Sequence, residues 1–145
     1  MLHILSMERT MSTPETINVP VFREDFSAFM AYLHEDDISP SSISPRRYGR
    51  VLRQDMQAIA TQAHVHRNTL SRAPESSSVQ DFLREALRVI RAAADISGSV
   101  EKGIFWFKNE PLSVFDYKTP QMLVSGGRTE DLLRYVQSLD AGFAG

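Results

Sequence analysis

The feature that most constrains this chain is a long apolar stripe at helical spacing: Val79, Phe82, Leu83, Ala86, Leu87, Ile90 and Ala94. Recurrence every three to four residues puts these side chains on one face of a helix, since successive residues turn by about 100°. Arg84, Arg88 and Arg91 share the opposite face. A helix sided in this way must bury its stripe against other elements. The rest of the sequence offers further helices and no run of apolar–polar alternation bounded by turn signals, so the expected fold class is all-α.

Start and stop signals divide the chain around that helix. Phe22, Phe26, Phe29, Met30 and Leu33 predict a helix over 22–33, with Glu24 and Asp25 in its first turn and Glu35-Asp36-Asp37 just past its end. Ser39 to Pro45 reads as a loop. Ser44-Pro45 then supplies an N-cap with proline at the first helical position, and Tyr48, Val51 and Leu52 carry the helix towards Gln54. Asp55 caps a short helix, Met56 to Ala63, and His64-Val65 reads as a turn. His66 to Arg72 forms a third helix, which Pro74 stops. Ser76-Ser77-Ser78 opens the long helix, and Asp95 to Ser99, with Gly98, breaks it. Beyond the break, Val100 to Lys108 carries Ile104, Phe105, Trp106 and Phe107, with Trp106 expected in the core. Pro111 to Tyr117 is turn-like, Thr119-Pro120 starts another helix and Gly126-Gly127 ends it. Thr129 caps a final helix with Leu132, Leu133, Val136 and Leu139 on its apolar face, and Asp140 to Gly145 reads as a small-residue tail. Residues 1–20 read as an arm. The start, MLHILSMERTM, lacks the basic region of a signal peptide, and Met7 or Met11 could equally begin the protein. No apolar run approaches the ~20 residues of a membrane span.

The absence of cysteine excludes disulfide scaffolds, cysteine-ligated zinc and thiol nucleophiles, and a reducing cytoplasm is the default compartment. The net charge of −2 argues against a polyanionic partner only until the chain is divided. Residues 1–45 carry −5 and residues 92–145 carry −2, whereas residues 46–91 hold nine arginines against four acids, a charge of +5. Arginine suits bidentate contact with phosphate and guanine.

Within that basic block lies a four-place spacing. A helix-turn-helix needs a small residue where its helices cross and, four residues on, a turn residue that accepts positive φ. The next residue and another five beyond it must be apolar. Ala60, His64, Val65 and Leu70 fill these places, with His64 where glycine is usual. The second helix would present His66, Arg67, Asn68, Thr69 and Arg72 to base edges and phosphates, with Arg46, Arg47 and Arg50 holding the backbone.

From residue 44 onwards the chain resembles the Xre/MbcA/ParS family of antitoxins. MQAIATQAHVHRNTLSRAP and VQDFLREALRVIRAAADISGS resemble the family's Xre-type helix-turn-helix. Trp106-Phe107, Asn109-Glu110-Pro111-Leu112, Pro120-x-x-Leu123, Gly126-Gly127 and the run Leu132 to Leu139 with Gly142 resemble its toxin-binding domain. The chain departs from the family at His64 and at Val114-Phe115-Asp116-Tyr117, where small residues are common. The resemblance implies a DNA-binding domain over 44–97 and a toxin-binding domain over 98–145; it does not reach residues 1–43, an arm and helix whose apolar stripe from Phe22 to Leu33 suits dimerisation or burial in the monomer. It implies a non-enzymatic, cofactor-free cytoplasmic protein that neutralises an NAD-consuming RES-domain toxin and, as a homodimer or in a higher toxin–antitoxin complex, binds operator DNA to repress its own operon. The toxin-binding residues it suggests are Phe107, Asn109, Leu112, Phe115, Tyr117, Tyr135, Gln137, Asp140 and Phe143. The competing class is a helical adaptor that binds protein but not DNA. An enzyme is disfavoured: His64-x-His66 lacks a nearby third ligand, and no phosphate loop or nucleophile motif occurs.

Overall fold

The computed structural model describes residues 25–34 and 38–144, with side chains as far as Asp140. Expectations for the arm, for Phe22 and Glu24, for Glu35-Asp36-Asp37 and for the side chains of Gly142 and Phe143 lie outside these. Among the described residues the chain is all-helical, without strands. The elements are α1 (Phe26–Leu33), α2 (Pro45–Leu52), α3 (Met56–Ala63), α4 (Arg67–Arg72), α5 (Ser77–Ser97), α6 (Val100–Asn109), a 3-10 turn (Ser113–Phe115), α7 (Pro120–Ser125) and α8 (Thr129–Ala144). None of the described helices is long and apolar enough to cross a membrane.

Side-chain oxygens open most of these helices by accepting a backbone N–H that the helix itself cannot satisfy. Ser44 Oγ accepts from Arg47 N at 3.1 Å, Asp55 Oδ1 from Ala58 N at 2.9 Å, and Thr119 Oγ1 from Met122 N at 3.2 Å. Asp25 is a cap rather than a first-turn residue, accepting from Ala28 N. Several boundaries differ from expectation. The long helix runs through Asp95 and stops only at Gly98, whose φ of 88° is the left-handed geometry that ends a helix without strain on a Cβ. Thr129 lies inside the first turn of α8, because Leu132 N already bonds Arg128 O. The segment expected as a loose tail continues α8 to Ala144, since nothing in Asp140-Ala-Gly-Phe-Ala breaks the hydrogen-bond ladder.

The axis of the molecule is α5. It makes its most extensive contact with α6 and also packs on α2, α3, α7 and α8. The buried side chains, from Phe29 to Val136, form one cluster, so the segments 44–97 and 98–145 share a core. Tyr48 lies fully inside it, edge-on to Phe82 with ring centroids 6.4 Å apart. Burial pushes its phenol well above the usual range, and its hydroxyl has no hydrogen-bond partner among the described residues. Tyr48→Phe removes that unsatisfied oxygen and keeps the ring. The variant is therefore expected to be more stable by about 1 kcal/mol, read as a higher midpoint in urea denaturation.

Candidate nucleic-acid and partner surfaces

The backbone of α3, the following turn and α4 realises the four-place spacing. Ala60 is fully buried and its carbonyl accepts from Val65 N at 3.0 Å, which closes the turn. His64 takes φ 59°, ψ 41°, the left-handed conformation that the spacing demands. Val65 is half-buried against the core and Leu70 is buried. His66 caps α4 rather than entering it, its Nδ1 accepting from Asn68 N at 3.1 Å. Arg67, Asn68 and Arg72 are exposed on α4, and Thr69 is half-buried.

The arginines of the basic block divide in two. Those of α5 are engaged: Arg84 lies 3.9 Å from Asp81, Arg88 reaches Glu130 at 2.9 Å and Arg91 sits over the Phe26 ring. Arg50, Arg53, Arg67 and Arg72, on α2 and α4, have no carboxylate within 4 Å among the described residues. Arg46 is exposed. Arg47 is turned into the fold, its Nη1 donating to Tyr32 O at 2.8 Å and its guanidinium lying over the Tyr32 ring, so it is not poised to grip a phosphate. Arg53 was not among the sequence candidates. It ends α2 in a left-handed conformation, and its charge, after burial, is the second cause that holds the Lys108 ammonium below its usual range. Arg53 and Lys108, at the ends of α2 and α6, are thus near enough for one charge to act on the other.

The C-terminal candidates separate by burial. Phe107 is 0 % exposed and Leu112 is 3 % exposed, so both are core residues and not available to a partner. The reason is registry: Val100, Gly103 and Phe107 form the buried face of α6. The same registry turns Phe105 outwards, 67 % exposed, and a helical projection of residues 100–107 would have found it. Trp106, expected in the core, is half-buried and helps line an apolar cleft of about 100 Å³ with Ile96, Val136 and Leu139. That is too small for a typical small-molecule site. Asn109 is exposed, and its Nδ2 donates to Phe105 O at 3.0 Å.

Asp116 and Tyr117 form the centre of a tight turn closed by Lys118 N donating to Phe115 O at 3.1 Å. Both have positive φ, 57° and 64°. Tyr117 holds a strained conformation while 70 % exposed, with no burial to compensate it. Phe115 instead packs edge-on against Tyr135 at 5.7 Å under the Arg128 guanidinium. Gln137 and Asp140 are exposed on α8, and Met122 on α7 is a further exposed apolar side chain that the sequence reading did not single out.

His64 and His66 are each tied to a neighbour, His64 Nε2 to Ser125 O at 2.7 Å and His66 to the α4 backbone. Among the described residues no group of three or more His, Asp or Glu side chains is arranged to hold a metal ion. No family model, curated protein or solved structure matches this chain.

Proposed function

We propose that the chain is a DNA-binding antitoxin of the Xre/MbcA/ParS type. In this reading α3 and α4 are a helix-turn-helix that binds operator DNA. The surface of α6, the 112–118 turn, α7 and α8 holds a RES-domain, NAD-consuming toxin. The observation that carries the reading is the pairing of turn geometry with charge: His64 in the left-handed conformation, Leu70 buried, and, on the same segment, Arg50, Arg53, Arg67 and Arg72 all without a carboxylate partner among the described residues. A basic surface that is only solvated tends to be laced with carboxylates, as α5 is; one kept free of them suits phosphate. On the other surface, Tyr117 strained and exposed, with Phe105 and Met122, supplies the residue types that anchor protein interfaces.

The test is binding to a duplex taken from immediately upstream of the reading frame, measured at several salt concentrations. Arg67→Ala and Arg72→Ala are each expected to weaken binding by roughly five- to a hundredfold if they read bases. If they grip phosphate, each is expected to lower the salt slope by about one. Co-expression with a RES-domain protein encoded beside it is expected to abolish that protein's toxicity, and Tyr117→Ala to restore it. A second reading, a helical adaptor that binds protein only, is favoured by the shortness of α4, six residues with a single buried side chain. Wild-type protein that fails to retard the duplex while still capturing its partner would establish that reading instead.

A further inference from the structure

Between the turn after α3 and the short helix α7 runs a polar seam. His64 Nε2 donates to Ser125 O at 2.7 Å, and Ser125 Oγ donates to Gln62 O at 2.8 Å. Gln54 Nε2 donates to Gln121 Oε1 at 2.9 Å, and Gln62 Nε2 to Gln54 Oε1 at 3.1 Å. Gln121 and Ser125 are one helical turn apart, hence on one face of α7. Pro120, Leu123 and Val124 anchor the other face in the core. By contrast α4, which begins two residues beyond His66's neighbour Val65, buries only Leu70. Its far end is held by Gln80 through Pro74 O at 2.8 Å, so the direction of its first turn depends on the turn that precedes it. The turn in turn is fastened to α7 by a histidine standing where glycine would be free of strain.

We infer that His64 is a positioning residue: through Ser125 it locks the turn against α7 and so fixes the angle at which α4 presents Arg67, Asn68 and Arg72. The imidazole stands at that place because it reaches a carbonyl 61 residues away, which glycine cannot do. The inference rests on the DNA-binding reading for its functional consequence but not for its structural one, and the two can be tested apart.

The chain has two informative replacements. His64→Asn keeps a residue that tolerates positive φ but is too short to reach Ser125; His64→Gln restores an N–H donor at a similar reach. Amide hydrogen exchange of Thr69 to Ala73 is measured in each, together with binding to the upstream duplex. In His64→Asn, exchange in α4 is expected to quicken by roughly three- to tenfold while α5 is unchanged, and duplex affinity to fall by a similar factor. The salt slope is expected to hold, because no phosphate-binding cation is lost. His64→Gln is expected to recover most of both. Unaltered exchange in α4 of His64→Asn overturns the inference whatever the duplex does, and quickened exchange with wild-type affinity reduces His64 to a structural residue and overturns it as well. If the wild-type protein does not bind the duplex at all, the DNA reading fails, and α4 exchange alone decides whether His64 positions the helix.

Discussion

Gly103→Val is expected to destabilise the protein by roughly 3 kcal/mol or more, out of a total that for a domain of this size is about 5–15 kcal/mol. A Cβ at this position would lie 2.9 Å from Ala94 N, 3.1 Å from Ile90 O and 3.2 Å from Ala94 Cα. All three are backbone atoms of α5, which cannot move aside as a side chain can. The only relief is to part α5 from α6, and this is the most extensive contact among the described helices. Parting them would loosen Val100 and Phe107, both buried at that contact. Urea denaturation of the full chain checks the value, with Phe105→Val as the control: it places the same β-branched side chain on the same helix at an exposed position, and is expected to change stability by no more than about 1 kcal/mol. A Gly103→Val protein as stable as that control would mean that the helices do not approach as closely as described.

Gln80→Leu is expected to have an effect of the same order, about 3 kcal/mol, for an opposite reason: too little polarity, not too much volume. Gln80 is 2 % exposed, and its amide makes three hydrogen bonds. Oε1 accepts from Ile43 N at 2.9 Å, while Nε2 donates to Ile43 O and to Pro74 O, each at 2.8 Å. Leucine fills the space and leaves all three backbone groups to find new partners in a site that excludes water. The position gives the loss a functional signature. Ile43 immediately precedes the Ser44 cap of α2, and Pro74 follows α4, so one side chain ties both ends of the segment proposed to bind DNA. Duplex binding is therefore expected to suffer more in Gln80→Leu than in Gly103→Val at equal loss of stability, whereas capture of a protein partner on α6 and α7 is expected to show the reverse order. Equal losses of both activities in both variants would show that only global stability is being read.

Much of the helical framework was legible in the chain. The stripe from Val79 to Ala94, the Ser44, Asp55 and Thr119 caps and the Gly98 stop depend on bonds between residues three to five apart. The left-handed turn residue at His64 was legible for the same reason. The end of α8 was misjudged because small residues near a terminus resemble a tail and yet do not interrupt a helix. The candidate surfaces were legible in outline only. Arg47 is chemically indistinguishable from Arg50 in the sequence, but Tyr32, 15 residues away, takes up its guanidinium. Phe105 and Phe107 differ by two positions, and the helix rotates one out and the other in.

What the sequence determined by itself was therefore the all-helical class, most helix starts and the basic block, because capping, periodicity and charge are local or additive properties. What only the tertiary structure decided was which side chains are spent on the fold and which are left for a partner. Gln80 bonds Ile43 across 37 residues, His64 bonds Ser125 across 61, and Gly103 is a glycine because another helix's backbone passes beside it. Such meetings are settled by how helices pack, and no spacing along the chain encodes them.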